Sequence, residues 1–209
     1  MEVKDGLRRY SDSDRSNHWL VVFAFFVAAV SGLAFFHPSL FFLSNLFGGG
    51  EWTRILHPFG GVVMFVLFIG MVMRFWQHNI IGANDRAWLR QWREVMNNRE
   101  EKLPEVGRYN GGQKVLFWVM IVCLLTLLAT GITFWQPYFR GYFPIGVIRV
   151  ATLLHSVAAV VLITGIIVHI YAGIWVKGTL HGMMRGTVAR RWARKHHLGW
   201  YKEETGQGR

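Results

Sequence analysis

The sequence predicts an all-α integral membrane protein, a four-helix bundle with both termini on the cytoplasmic side. Three observations predict it. Four apolar runs, at 19–36, 58–76, 115–135 and 148–176, match or exceed the roughly 20 residues needed to cross a hydrocarbon core of about 30 Å. Lysines and arginines gather in blocks between these runs. The chain is 52% hydrophobic, too apolar for an ordinary soluble domain, and its 209 residues suffice for one domain.

The first run follows a charged segment at 1–17. It is longer than the roughly 7–15 residues of a signal-peptide core, and no A-x-A site follows, so it reads as a retained helix. Four basic residues precede it (Lys4, Arg8, Arg9, Arg15), seven lie in the loop 77–114, and eight lie from Lys177 onward. The other two loops carry only Arg54, Arg140 and Arg149, and Arg74 ends the second run. The positive-inside rule therefore puts both termini and the loop 77–114 in the cytoplasm. Trp19, Trp52, Trp76, Trp118, Trp135 and Trp175 sit near run ends, as interfacial aromatics do. The fourth run is long enough to tilt or to project beyond the bilayer. The expected divisions are an N-terminal segment 1–17, a transmembrane domain 18–176 and a basic tail 177–209. The mixed signs of the loop make most of it a solvated connector, with a short interfacial helix expected over 85–98. The tail motif RRWARKHH, 190–197, is expected on anionic lipid headgroups or against a partner subunit.

The net charge of +11 does not indicate a nucleic-acid partner, because the basic residues follow the membrane topology. The single cysteine, Cys123, lies in an apolar run. It excludes an intrachain disulfide, a thiolate cluster and a covalent C-x-x-C-H haem attachment.

Histidines carry the chemistry. His155 and His169 are fourteen residues apart in the fourth run. On a helix that separation returns to within about 40° of the starting direction and spans about 21 Å. Both imidazoles thus share one face, one near each side of the membrane. Ionisable residues in a span are usually functional. His18 starts the first helix on the cytoplasmic side and His57 the second on the outer side. Depth therefore pairs His18 with His169 (inner) and His57 with His155 (outer). Each pair can clamp a flat macrocycle between helices. Two neutral imidazoles make a six-coordinate iron suited to electron transfer, and any haem so held must be non-covalent. Zinc would need three or four ligands. Gly32 and Gly70 fall on the ligand faces at the opposite depths. They read either as room for the second macrocycle or as ordinary small-residue helix packing. His37, His78, His181, His196 and His197 read as surface or interfacial residues. Arg15, Arg54, Arg74 and Lys177 read equally as propionate partners or as side chains snorkelling to headgroups. The stretch Tyr109–Gly112 reads, on its residues alone, first as a turn into the third helix.

Several motifs together resemble the gamma subunit of membrane-bound respiratory formate dehydrogenase, a cytochrome b of the b556 type. They are HW at 18–19, RILHPF at 54–59, RF and HNI within 74–80, VGRYNGGQK at 106–114, WQPYF at 135–139, WVKG at 175–178 and RRWARKHH at 190–197. The likeness runs over roughly 18–201, and its most specific parts are the VGRYNGGQK loop and the tail. It implies that His18, His57, His155 and His169 ligate two haems b. It also implies an iron–sulfur beta subunit and a molybdenum or tungsten catalytic alpha subunit on the outer side. Electrons would pass by the outer and then the inner haem to menaquinone or ubiquinone. The implied quinone site lies near His169, Asn110, Gly112 and Gln113. Amide groups there suit quinone carbonyls, and glycines permit close backbone approach. The resemblance further implies a bacterial inner membrane location and a trimer of three-subunit units. A nickel–iron hydrogenase cytochrome b would share the four histidines, and a cofactor-free membrane anchor or assembly protein would need none of them. No broken helices or repeat symmetry favour a transporter.

Overall fold

The computed structural model describes residues 6–97 and 99–207; Lys4, and Asn98 at the end of the expected interfacial helix, lie outside them. In chain order the elements are β1 (Gly6–Arg8), α1 (Asp12–Phe36), α2 (Gly50–Phe75), α3 (Ala83–Arg90), α4 (Trp92–Met96), α5 (Gly111–Phe134) and α6 (Ile145–Trp175), followed by α7 (Thr179–Arg185), β2 (Thr187–Ala189), α8 (Arg190–His196) and α9 (Leu198–Thr205). Of these, α1, α2, α5 and α6 are long and apolar enough to cross a membrane.

Each of these four helices starts upstream of the apolar run that announces it. α1 begins at Asp12 because Ser11 and Asp14 cap each other. The Ser11 N–H donates to Asp14 Oδ2 (2.9 Å), and the Asp14 N–H donates to Ser11 Oγ (3.1 Å). α2 begins at Gly50 and carries Pro58 in its interior, so that proline does not start the helix. The turn before α2 needs Gly48 and Gly49, whose φ angles are +86° and +98°.

The chain forms two compact units. One comprises 16–73 and 119–168 and holds most of the four long helices. Its core is Ala24, Ala28, Met64, Phe68, Cys123, Leu124 and Leu162. α1 buries only small residues, Ala24, Ala28, Ser31 and Ala34, while Phe23 stays 70% exposed and Val66 of α2 61% exposed. Small residues inside and large apolar ones outside are the pattern of helices that pack in lipid.

The other unit comprises the described parts of 1–15, 74–118 and 169–209. β1 pairs antiparallel with β2, with Leu7 opposite Val188. Val188, Trp192, Ala193 and Trp200 form its core, with Leu7, Val176, Ala189 and Tyr201 packed around them. In the tail motif 190–197, Trp192, Ala193 and His197 turn inward, while Arg190, Arg191, Arg194 and Lys195 stay exposed, as contact with headgroups or a partner would need. The loop 77–114 keeps many of its side chains exposed, as a solvated connector does, and is tied down at a few points. Lys114 Nζ meets Asp85 Oδ2 at 2.8 Å and the Ile80 carbonyl at 3.0 Å, the Trp118 indole N–H donates to the Asn79 carbonyl (3.0 Å), and the Gly199 N–H donates to the Val106 carbonyl (2.9 Å). The helix expected over 85–98 is divided into α3 and α4 at Gln91.

Candidate functional site

His57 on α2 and His155 on α6 come together, with ring centroids 6.2 Å apart and planes at 69°. Each ring is held at Nδ1. Ser31 Oγ lies 3.0 Å and the Ala28 carbonyl 3.1 Å from His57 Nδ1; Thr130 Oγ1 lies 3.0 Å from His155 Nδ1. A carbonyl only accepts, so His57 Nδ1 carries the proton and donates. The Thr130 hydroxyl gives its own proton to the Thr126 carbonyl (2.6 Å), so its oxygen accepts from His155 Nδ1. Both rings are thereby assigned the tautomer in which Nε2 is an unprotonated lone-pair donor.

That arrangement fits two residues that would hold a haem iron between them. Two metal–imidazole bonds of about 2 Å, with about 1 Å from nitrogen to ring centre on each side, set centroids about 6 Å apart. Ligand histidines ordinarily donate their other ring N–H to an oxygen, as both do here. Glycines seat the rings. A Cβ on Gly32 would lie 2.9 Å from His57 Cε1, and one on Gly131 would lie 3.4 Å from His155 Cε1. Ser31, Thr130 and Gly131 were not legible as site residues in the sequence. The signal they share is a hydroxyl residue followed by glycine, at 31–32 and again at 130–131.

His18 lies on α1, with the Trp19 ring edge-on at 5.3 Å, and His169 lies on α6. They belong to different units. The atom nearest a Cβ on Gly70 would be Asn17 Oδ1, at an ordinary 3.7 Å. Asn17 Nδ2 in turn donates to the Leu67 carbonyl (3.2 Å).

Asn110 and Gln113 cap the start of α5 reciprocally. The Asn110 N–H donates to Gln113 Oε1 (3.0 Å), and the Gln113 N–H donates to Asn110 Oδ1 (2.9 Å). The bonds use the amide oxygens and not the amide nitrogens, Asn110 Nδ2 and Gln113 Nε2. Gly112 and Gly111 let this turn lie on α3. A Cβ on Gly112 would meet Trp88 at 3.3 Å, and one on Gly111 would meet the Asp85 carbonyl oxygen at 2.9 Å.

The remaining histidines have local roles. His37 Nδ1 accepts from the Ser39 N–H (3.2 Å). His78 packs edge-on to Tyr109, and burial, then the Arg108 charge, lowers its pKa. His197 corrects the surface expectation. It is 4% exposed, its Nδ1 donates to the Gly107 carbonyl (2.9 Å), and burial together with the nearby Arg9 charge pushes its pKa down to about 3. Arg9 is itself buried, 4.7 Å from the Trp200 ring centre and 5.1 Å from that of Trp192, and it donates to the Arg108 carbonyl (2.6 Å). Among the candidate propionate partners, Arg15 pairs with Asp12 (2.6 Å) and Arg74 with Asp14 (2.9 Å).

Comparison with known proteins bears on the whole chain. Residues 9–186 match the family described as prokaryotic cytochrome b561. The chain is 49% identical over 203 residues to the formate dehydrogenase cytochrome b556(fdo) subunit of Escherichia coli K12, covering 97% of this chain and 95% of that one. It is 46% identical over 190 residues to the nitrate-inducible formate dehydrogenase cytochrome b556(Fdn) subunit of the same organism, covering 91% and 88%. It is 44% identical over 206 residues to the formate dehydrogenase cytochrome b556 subunit of Haemophilus influenzae, covering 98% and 87%. A match across four membrane-crossing helices and both terminal segments, at this identity, shows that the chain is an integral membrane protein of the prokaryotic cytochrome b561 family, in the branch of the formate dehydrogenase cytochrome b556 subunits.

Proposed function

We propose that the chain is the cytochrome b subunit of a membrane-bound formate dehydrogenase and delivers electrons from an iron–sulfur partner to a membrane quinone. The observation that carries the reading is the His57–His155 pair, at ligand separation with both Nδ1 protons committed to oxygen acceptors. Two b haems, when bound, supply one-electron carriage across the bilayer. His57 and His155 hold the outer one. His18 and His169, paired by their depth in the sequence, hold the inner one. The distribution of basic residues orients the chain in the bacterial inner membrane with both termini and the loop 77–114 in the cytoplasm.

Quinone reduction falls at the cytoplasmic side, beside His169. Asn110 Nδ2 and Gln113 Nε2, left out of the cap bonds, donate to the quinone carbonyls, and Gly112, which seats this turn against Trp88, completes the proposed site. Protons taken from the cytoplasm there, against formate oxidised outside, make half of a proton-motive redox loop. The partners are the iron–sulfur beta subunit and the molybdenum or tungsten alpha subunit, with three such units forming a trimer.

Purification in mild detergent, with subunit identification and a reduced-minus-oxidised spectrum, tests the reading. Two b haems per chain with a molybdo- or tungsto-enzyme support it. Fewer than two haems in intact complex, or co-purifying nickel–iron hydrogenase subunits, overturn it. Absence of any b-type spectrum would leave the chain a membrane anchor.

A further inference from the structure

We propose that Ser31 and Thr130 are positioning residues for the outer ligand pair, each hydroxyl taking the Nδ1 proton of one histidine and so setting that ring's orientation and the basicity of its Nε2. The proposal rests on the ligand reading of His57 and His155.

Two helices present the same module. Ser31 on α1 donates its one proton to the Val27 carbonyl, four residues back, at 2.6 Å; Thr130 on α5 donates to the Thr126 carbonyl, also four residues back, at 2.6 Å. A hydroxyl has a single proton, so each oxygen faces its histidine as an acceptor. The histidines lie 3.0 Å away in both cases. In each module the next residue is the glycine on which the ring's Cε1 rests. Ser31 is 0% exposed and Thr130 8%, so bulk water does not replace either hydroxyl. Back-bonding of Ser and Thr to their own helix is common and has no need of a ligand. Its recurrence beneath two histidines that face each other ties it to the pair.

The chemistry follows from the direction of the bonds. An N–H···O bond at Nδ1 raises electron density at Nε2 and makes it a stronger donor to the ferric state, which lowers the reduction potential. The low local dielectric strengthens the effect. The two rings have matching support. Each also has the carbonyl three residues before the hydroxyl within reach, Ala28 for His57 at 3.1 Å and Leu127 for His155, so each ring keeps one acceptor when its hydroxyl is removed.

The test uses the complete purified complex carrying Thr130→Val, Thr130→Ser or Ser31→Ala. Redox titration resolves the two b haems, and low-temperature electron paramagnetic resonance reports ring orientation. Thr130→Val is expected to raise the outer midpoint, with up to a tenfold change in the ferrous-to-ferric ratio at fixed potential, about 59 mV for a one-electron couple. The inner midpoint stays in place. Thr130→Ser restores the parent value, and Ser31→Ala gives a shift in the same direction. If Thr130→Val does not assemble, the Ser31→Ala shift decides. Unchanged midpoints and spectra in the hydroxyl-free variants, with both haems bound, overturn the proposal. Retention of both haems by His155→Ala would instead sink the ligand assignment beneath it.

Discussion

Gly32 and Gly131 seat the two rings with different clearances, and that difference is measurable. A methyl at position 32 would stand 2.9 Å from His57 Cε1, closer than real Cβ contacts come, whereas one at 131 would stand 3.4 Å from His155 Cε1. Close-packed interiors respond to single methyl groups. Gly32→Ala is therefore expected to displace the His57 ring and to lower haem content from two per chain towards one, while Gly131→Ala keeps both. Haem assay per purified chain checks it, and equal haem content in the two variants would contradict the seating argument. His155→Ala is expected to lose one haem. His37→Ala is expected to lose none, since its ring only caps the turn that follows it.

At the scale of elements, the first turn of α5 has a structural task, the reciprocal cap, to which the proposed function adds a chemical one. Asn110 caps the helix through Oδ1, and Nδ2 is the group assigned to quinone. The two tasks separate by substitution. Serine caps helices about as well as asparagine, whereas alanine costs about 1 kcal/mol. Asn110→Ser is thus expected to keep thermal stability but lose quinone reduction, while Asn110→Ala loses both. Normal quinol formation by the serine variant would remove Asn110 from the proposed site. Gly111 makes the matching structural point. A side chain there meets backbone, the Asp85 carbonyl at 2.9 Å, which cannot rotate away. Gly111→Ala is expected to destabilise the α3–α5 contact by about 1–3 kcal/mol, read as earlier proteolysis within the loop 77–114.

Over the whole molecule, Arg9 and His197 link the N-terminal segment, the loop and the tail within one unit. The pKa of His197 is held down to about 3, against an ordinary value of 6.5. Above pH 6.5 it is neutral whether folded or unfolded and contributes no pH dependence. As pH falls from about 6.5 towards about 3, the unfolded chain takes up the proton and the folded one does not. Stability of this unit is therefore expected to decline across that window. Limited proteolysis of the tail against pH measures the decline. His197→Asn, which retains a donor for the Gly107 carbonyl but cannot titrate, is expected to flatten it; an unchanged profile in that variant would assign the pH dependence elsewhere.

The sequence by itself determined the membrane class and the four crossing helices, and it supplied the reading that pairs the histidines by depth. Each depends on a periodic or compositional property: run length against bilayer thickness, the placement of basic residues, and helical phase over fourteen positions. Helix starts were less legible. Polar first turns such as Ser11–Asp14 belong to α1 without being apolar. Only the tertiary structure decided that Ser31 and Thr130 stand behind the His57 and His155 rings, that Gly111 lies on a backbone carbonyl, and that a basic tail buries His197 against Arg9. These are contacts between residues from 25 to 188 positions apart in the chain. No local pattern encodes them, because which side chain meets which is set by how the helices and the tail pack.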